Sequence, residues 1–260
     1  MTKLDLNFFE KLSDIASKTS LSFFRKPIII DNKSETLFDP VTQADKQTEN
    51  ALRSFILKNF ADDGILGEEC DNLRLDADNI WVIDPIDGTR SFIAGIPLWG
   101  TLIGRMHKGK AVAGLMAQPF TGELFCALDN KAYYKRDKDQ EWQVLQVSTT
   151  KKLEDAILFS TAPDLFLGGN KTAFEAVSQK ARLTRWGTDC YAFAMLAAGH
   201  VDLVIETGLQ PYDIMALIPI IENAGGVITQ WNGGKAEGAG NIIAAATPEL
   251  HAAACKLLNV

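Results

Sequence analysis

Apolar residues return at helical spacing near the start of the chain. Leu4, Phe8, Leu12, Ile15, Leu21 and Phe24 predict a helix across 4–25, closed by Pro27. Segment 28–40, IIIDNKSETLFDP, breaks that period and reads as an extended hairpin or loop. A second helical run follows Thr42, a suitable N-cap, with Ala51, Leu52, Phe55 and Ile56 on its apolar face. DGILGEEC, residues 63–70, predicts a short strand ending on two acids. Trp81, Val82 and Ile83 then form a β-favouring apolar run. It predicts a buried strand ending at Asp84, with Asp87 in the turn beyond. Strand-like runs follow at 98–107, 110–119, 122–128 and 131–135, punctuated by Gly, Pro and Asn, and the charged stretch 135–142 reads as an exposed turn.

From about residue 150 the pattern alternates. Strands are predicted at 156–160, 181–186, 201–206, 225–230 and 241–246, and helices at 171–181, 189–199, 211–224 and 247–258. Thr247 can cap the last helix and Pro248 start it. The glycines of ENAGG suit a helix C-cap, and GGNKT at 168–172 reads as a helix-entry turn because it lacks P-loop order. Helices followed by an antiparallel sheet, then alternation, predict a mixed α+β and α/β chain. The expected division is an N-terminal α+β region, 1–148, and a C-terminal α/β region, 149–260.

Composition narrows the function. The 260 residues are 47% hydrophobic and 23% charged, ample for a large core. Lys+Arg is 26 against 33 Asp+Glu, a net charge of −7, which disfavours binding to a nucleic-acid backbone. Cys70, Cys126, Cys190 and Cys255 are scattered, with no spacing for zinc or for a disulfide framework. The N-terminus lacks the apolar core of a signal peptide, and no run is long enough to span a membrane, so a cytoplasmic location is expected. His107, His200 and His251 have no nucleophile or metal partner nearby in sequence and are expected to be structural or exposed. Trp99 is expected in the core.

The chemistry gathers around WVIDPIDGTRSF, residues 81–92. If the strands ending at Glu68 and Asp84 are neighbours, Glu68, Asp84 and Asp87 meet at one sheet edge. Three carboxylates so close repel unless protonated or neutralised. A divalent cation is the economical answer, and oxygen-only ligands favour magnesium or manganese over zinc. Pro85 sets a bend, and the Ile86 carbonyl is a further hard ligand. Gly88 and Thr89 can open a short helix whose free N–H groups bind phosphate, while the Thr89 hydroxyl can orient an attacking water. The same letters also make an ordinary turn. Asp45, by its position alone, suits the first turn of a helix, and Asp213, after Pro211, is equally ordinary.

VTQAD, GEE, WVIDPIDGTRSF and PYD occur in an order that resembles the inositol monophosphatase family, over nearly the whole chain. That resemblance implies a layered αβαβα sandwich, a homodimer, and a Mg²⁺-dependent, lithium-sensitive phosphatase with two or three ions per site. It assigns Glu68, Asp84 and the Ile86 carbonyl to a first metal, and Asp84, Asp87 and Asp213 to a second. Glu68 and a water near Asp45 would serve a third. Gly88 and Thr89 would hold phosphate, and Asp45, Glu68 and Thr89 would act in catalysis. The implied reaction is direct attack of activated water on a phosphomonoester, without a covalent enzyme intermediate.

Arg90-Ser91-Phe92 departs from the Thr-Asn-Phe common in that family. Arg90, Asp189, Glu206, the Gln-Pro-Tyr before Asp213 and the Leu-Ile-Pro after it resemble the histidinol-phosphate phosphatase branch. Histidinol phosphate carries an ammonium and an imidazole, which call for acceptors or negative charge. Asp189 favours such a cation, whereas Glu206 suits a cation or a hydroxyl equally. Arg90 can pair with a pocket acid, with phosphate, or with a surface acid. The expected reaction is hydrolysis of L-histidinol phosphate in histidine biosynthesis. An inositol-1-phosphate or broad sugar-phosphate phosphatase is the alternative, and a phospholigand-binding protein without turnover is a third.

Overall fold

The computed structural model describes residues 4–32, 40–136 and 140–259. Helix α1, Leu6–Ser20, is capped by the Asp5 side chain, which accepts the Phe8 N–H at 2.8 Å. It ends before the expected residue 25, because the chain turns at Leu21–Arg25 and Arg25 adopts φ +58°. In the extended 28–40 segment, β1 (Ile30–Asn32) pairs antiparallel with β2 (Pro40–Thr42), and the residues between lie outside the described ones. Helix α2, Gln43–Asn59, is capped by Thr42 as expected.

The seven-stranded sheet comprises β3 (Gly64–Gly67), β4 (Asn79–Asp87), β5 (Gly100–His107), β6 (Lys110–Gln118), β7 (Glu123–Leu128), β8 (Lys131–Arg136) and β9 (Gln143–Val144) in sequence order. Only its β3–β4 pair is parallel. Residues 137–139 of the expected exposed turn fall outside the described ones, and Lys135 is a buried strand residue whose ammonium lies 2.7 Å from Glu10. The short helix α3, Thr89–Ile93, leaves the end of β4.

The later residues form a five-stranded mixed sheet from β10 (Ile157–Ser160), β11 (Leu183–Trp186), β12 (Leu203–Leu209), β13 (Val227–Gln230) and β14 (Gly240–Ala245), ordered β11-β10-β12-β14-β13. The helices are α4 (Gly169–Ser178), α5 (Cys190–Ala197), α6 (Pro211–Ile214), α7 (Leu217–Asn223) and α8 (Pro248–Leu258). Thr247 caps α8, accepting the Leu250 N–H. The expected boundary at 148/149 falls between the last strand of one sheet and the first of the other.

The predicted single helix 211–224 is two helices. Pro219 has no N–H to return to the Met215 carbonyl, and the chain turns at Met215–Ala216. That break rests on a glycine pair: Gly104 of β5 and Gly114 of β6 are register partners. A Cβ on Gly114 would stand 2.0 Å from the Ala216 carbonyl oxygen, and one on Gly104 would stand 2.8 Å from the Met215 carbonyl carbon. After α7 the Gly225 N–H bonds the Glu222 carbonyl and the Gly226 N–H the Ile221 carbonyl, so ENAGG forms a full glycine C-cap.

Strand alternation assigns five layers. Trp81 and Ile83 of β4 pack with Phe8, Phe9, Leu12, Leu52 and Ile56 of α1 and α2. Val82, from the opposite face, packs with α5 and α7 through Phe193, Leu217 and Ile220, and the same cluster takes Val204 and Ile242 from the second sheet. Leu203 and Ile205 of β12 face the other way, against Phe174, Val177, Leu250 and Ala254 of α4 and α8. The order is therefore α1/α2, seven-stranded sheet, α5/α6/α7, five-stranded sheet, α4/α8. Asp84 shares its face with Val82, and Glu206 with Val204. Both acids therefore point into the central helical layer.

Candidate metal centre

Strand β4 does not stop at Asp84. It continues to Asp87, and the difference has a register cause. Asp84 pairs with Leu102 while Asp87 pairs with Gly100, so three steps along β4 match two along β5. That is a β-bulge holding one extra residue. In a regular strand residues three apart face opposite sides. The bulge cancels that phase, and both aspartates project to the same side. The Pro85 carbonyl at the bulge is held by the Thr101 hydroxyl at 2.8 Å, and the Ile86 N–H bonds Asp84 Oδ1 at 3.0 Å.

Helix α6 delivers Asp213 from the central layer. Its Oδ2 accepts the Gln210 N–H at 2.7 Å, as a capping acid should. Asp84, Asp87 and Asp213 each offer an oxygen, all within 4.8 Å of one another, the one such group of three or more among the described residues. Burial pushes Asp84 well above the ordinary carboxylate range, and repulsion from Glu68, Asp87 and Asp213 adds to it. Burial pushes Asp87 up likewise, with Asp189 and Asp213 adding, although the Cys190 N–H bonds Asp87 Oδ2 at 2.6 Å. Among these neighbours Glu68 acts on Asp84 both through its charge and as a hydrogen-bonding side chain. An all-oxygen set of closely spaced carboxyls fits a hard divalent ion such as Mg²⁺, and lacks the nitrogen and sulfur donors that zinc prefers.

Beside this cluster, Gly88 adopts φ +85° and caps α3, whose first N–H groups have no partner within the helix. A Cβ on Gly88 would meet Asp189 Oδ2 at 3.1 Å and the Leu98 carbonyl at 3.2 Å, so a side chain there would be crowded as well as strained by the positive φ. The Thr89 hydroxyl lies 3.0 Å from the Ile86 carbonyl and 3.4 Å from Asp45 Oδ1. It has one proton and two acceptors to choose between. Asp45 is fully buried, and its Oδ2 accepts both the N–H and the hydroxyl of Thr42, at 2.9 and 2.5 Å. Burial nevertheless raises its pKa, with a smaller push from Glu68. The turn is backed by an apolar cluster of Phe24, Ala44, Ile86, Phe92 and Trp99, which places Trp99 in the core as expected.

Asp189 caps α5 with φ +43°, a conformation that costs a non-glycine residue free energy and recurs at functional sites. Burial raises its pKa to about 6, opposed by the Ser91 hydroxyl, 3.5 Å away, and by the charge of exposed Arg90. Glu206 lies deeper, 2% exposed. Its oxygens accept from Ser160 at 3.3 Å and Thr161 at 3.0 Å, and burial lifts its pKa to about 8 with Asp189 adding repulsion. An acidic floor thus runs from the aspartate cluster through Asp189 to Glu206. All eleven residues singled out by sequence lie in or beside this floor and its turn. Ser160, Thr161, Ser91 and the Cys190 main chain were not anticipated. A serine at a strand end and a main-chain N–H carry no sequence signal of their own. The histidines stand apart, His107 and His200 exposed and His251 against Thr229.

A model of the inositol monophosphatase family matches residues 4–259. The chain belongs to the inositol monophosphatase family. An inositol monophosphatase from Zymomonas mobilis superposes with a TM-score of 0.86 at 35% identity, covering 98% of this chain and 97% of that one. The chloroplastic bifunctional phosphatase IMPL2 of Arabidopsis thaliana is 41% identical over 226 residues, 85% of this chain but 63% of that protein's length. A histidinol-phosphatase of Chlorobaculum parvum is 32% identical, covering 88% of this chain and 86% of its own. Inositol monophosphatase family members are metal-dependent phosphatases of phosphomonoesters, usually with Mg²⁺, and Asp84, Asp87 and Asp213 form a cluster suited to that ion. The layered fold agrees with the family. Among the described residues no helix is long and apolar enough to cross a membrane.

Proposed function

We propose that this chain hydrolyses L-histidinol phosphate to L-histidinol and phosphate. The observation that carries the substrate choice is the acidic floor. Asp189 lies against Gly88, at the turn proposed to hold phosphate, and Glu206, buried behind Asp189, continues the line of acids. A substrate with phosphate at one end and cationic groups at the other matches that order of charges. An arriving ammonium would favour the ionised form of both acids, whose pKa values are raised in the free protein. The histidinol-phosphatase of Chlorobaculum supports this reading.

Asp84, Asp87, Asp213, Glu68 and the Ile86 carbonyl would hold two or three Mg²⁺ ions. When bound, these would supply Lewis-acid stabilisation of the phosphoryl oxygens and make water more acidic. The main-chain N–H groups of Gly88 and Thr89 would hold the phosphate oxygens. Thr89 would orient the attacking water by accepting its hydrogen bond while donating to Asp45 or Ile86. Asp45, kept in place by Thr42, would take part in receiving the proton. Arg90, Asp189, Glu206 and Asp213 would face the alcohol portion. A homodimer is part of this reading.

The second reading is an inositol-phosphate phosphatase, favoured by the Zymomonas neighbour and by the ability of Glu206 to accept from hydroxyls. Measuring kcat/KM for histidinol phosphate and inositol-1-phosphate, with Mg²⁺, separates the two. We expect histidinol phosphate to be preferred at least tenfold. A ratio at or below one refutes the assignment.

A further inference from the structure

Glu49 is fully buried on α2, one turn beyond Asp45, yet it touches neither the aspartate cluster nor the acidic floor. Its Oε2 accepts the Glu69 N–H at 2.8 Å, and its Oε1 accepts from Arg53 at 3.0 Å. The carboxylate lies flush on the backbone of Gly67: a Cβ there would stand 1.9 Å from Oε1 and 2.5 Å from the carboxyl carbon. Gly67 does not have a positive φ, so what a side chain there would disturb is this close approach: the Glu49 carboxylate would have to move off its partners. Arg53, one further turn along α2, reaches the Asp71 carbonyl at 2.6 Å. The Gly67 N–H meets Asn72 Oδ1 at 3.3 Å.

Glu68 lies between the two positions that Glu49 holds. Its own N–H bonds the Ile83 carbonyl at 3.1 Å, continuing the β3–β4 pairing one step past the strand. The segment after β3 is therefore anchored to β4 on one side and to α2 on the other, and what remains for Glu68 is to project towards Asp84. Removing a buried carboxylate that accepts a main-chain N–H leaves that donor unpaired, and the segment must move to find another partner.

We propose that Glu49, seated on Gly67 and paired with Arg53, is a positioning residue that aims Glu68 at the metal cluster. Helix α2 then sets Asp45 and Glu68 from a single face, Asp45 directly and Glu68 through Glu49. This rests on the reading of Glu68 as a metal ligand, so the test treats the two claims separately. Partners that orient a ligand change metal affinity by about 10–100-fold when removed.

The experiment measures Mn²⁺ binding to the full chain without substrate, by electron paramagnetic resonance, for the wild type, Glu68→Gln, Glu49→Ala and the double variant. Mg²⁺ half-saturation of activity and the unfolding temperature in chelator are read alongside. We expect Glu68→Gln to weaken Mn²⁺ binding, and Glu49→Ala to weaken it by about 10–100-fold in the folded protein. We expect no additional loss in the double variant. The volume-conserving Glu49→Gln should retain more affinity than Glu49→Ala. If Glu49→Ala does not fold, Glu49→Gln and Gly67→Ala are read by the same criteria. Unchanged Mn²⁺ binding in Glu68→Gln overturns the ligand reading itself. Weakened binding there, with a Glu49 variant that loses only thermal stability or whose loss adds fully to that of Glu68→Gln, overturns the positioning role alone.

Discussion

Glu206 shows what one buried acid does to the whole chain. Two hydroxyls, from Ser160 and Thr161, hold it and favour its charge, but burial outweighs them and Asp189 adds repulsion, so its pKa stands near 8 instead of the ordinary 4.5. The sign follows from linkage. Between those values the folded protein holds a proton that the unfolded chain has released, so stability falls as pH rises from about 4.5 to about 8. A displacement of that size corresponds to a few kcal/mol, taken as an order of magnitude. Glu206→Gln keeps the neutral shape at every pH. In chelator, the variant should match the wild type near pH 5 and exceed it in unfolding temperature at pH 8.5. Other raised acids contribute to the slope of both proteins, so the difference between them is the measure. Identical pH profiles would mean that Glu206 ionises freely in the folded state.

At the scale of elements, the sequence was most legible where local chemistry and tertiary demand agree. Thr42, Thr247 and the Gly225–Gly226 pair punctuate helices wherever they occur, and their caps formed as read. It was least legible where pairing between strands decides. Nothing local in IDPID distinguishes a strand end from a bulge, because the extra residue exists only relative to Gly100 and Leu102 of β5. The metal ligands could be picked out as acids, but their convergence depends on that register. Resemblance, not pattern, supplied Asp45 and Asp213. The break between α6 and α7 is a similar case, since Pro219 removes a helical hydrogen bond there while the Gly104–Gly114 seat leaves room for the Met215–Ala216 backbone. That seat bears on the site because α6 carries Asp213. Gly114→Ala should push Ala216 away from β6 and draw Asp213 from the aspartate cluster. The expected outcome is a lower unfolding temperature and a Mg²⁺ half-saturation raised by about tenfold or more, the scale of losing a ligand's support. A variant with wild-type metal dependence would show that α6 is held by other contacts.

Across the molecule, the candidate metal centre joins parts that are far apart in sequence. Asp84 and Asp87 end β4 of the first sheet, whereas Asp213 opens α6, which follows β12 of the second. The central layer that buries them also takes apolar side chains from both sheets, so core and site share one interface. Without a cation, that interface carries carboxylates whose charged forms burial and mutual repulsion disfavour. An ion bound there binds only the folded arrangement, because no single segment presents all three acids. Binding that requires the fold raises stability by mass action, about 2.7 kcal/mol at a hundred times the Kd. For a chain of this size that is an increase in unfolding temperature of about 5–10 °C. We therefore expect Mg²⁺ to raise the unfolding temperature of the wild type by that amount over chelator. Asp213→Asn should lose most of the increase. Its unfolding temperature in chelator should equal or exceed that of the wild type, because one repelling charge is gone and its volume is kept. Scanning calorimetry of the two proteins, each with and without Mg²⁺, gives the comparison. A full Mg²⁺ response in Asp213→Asn would show that the stabilising ion sits on one half of the chain alone.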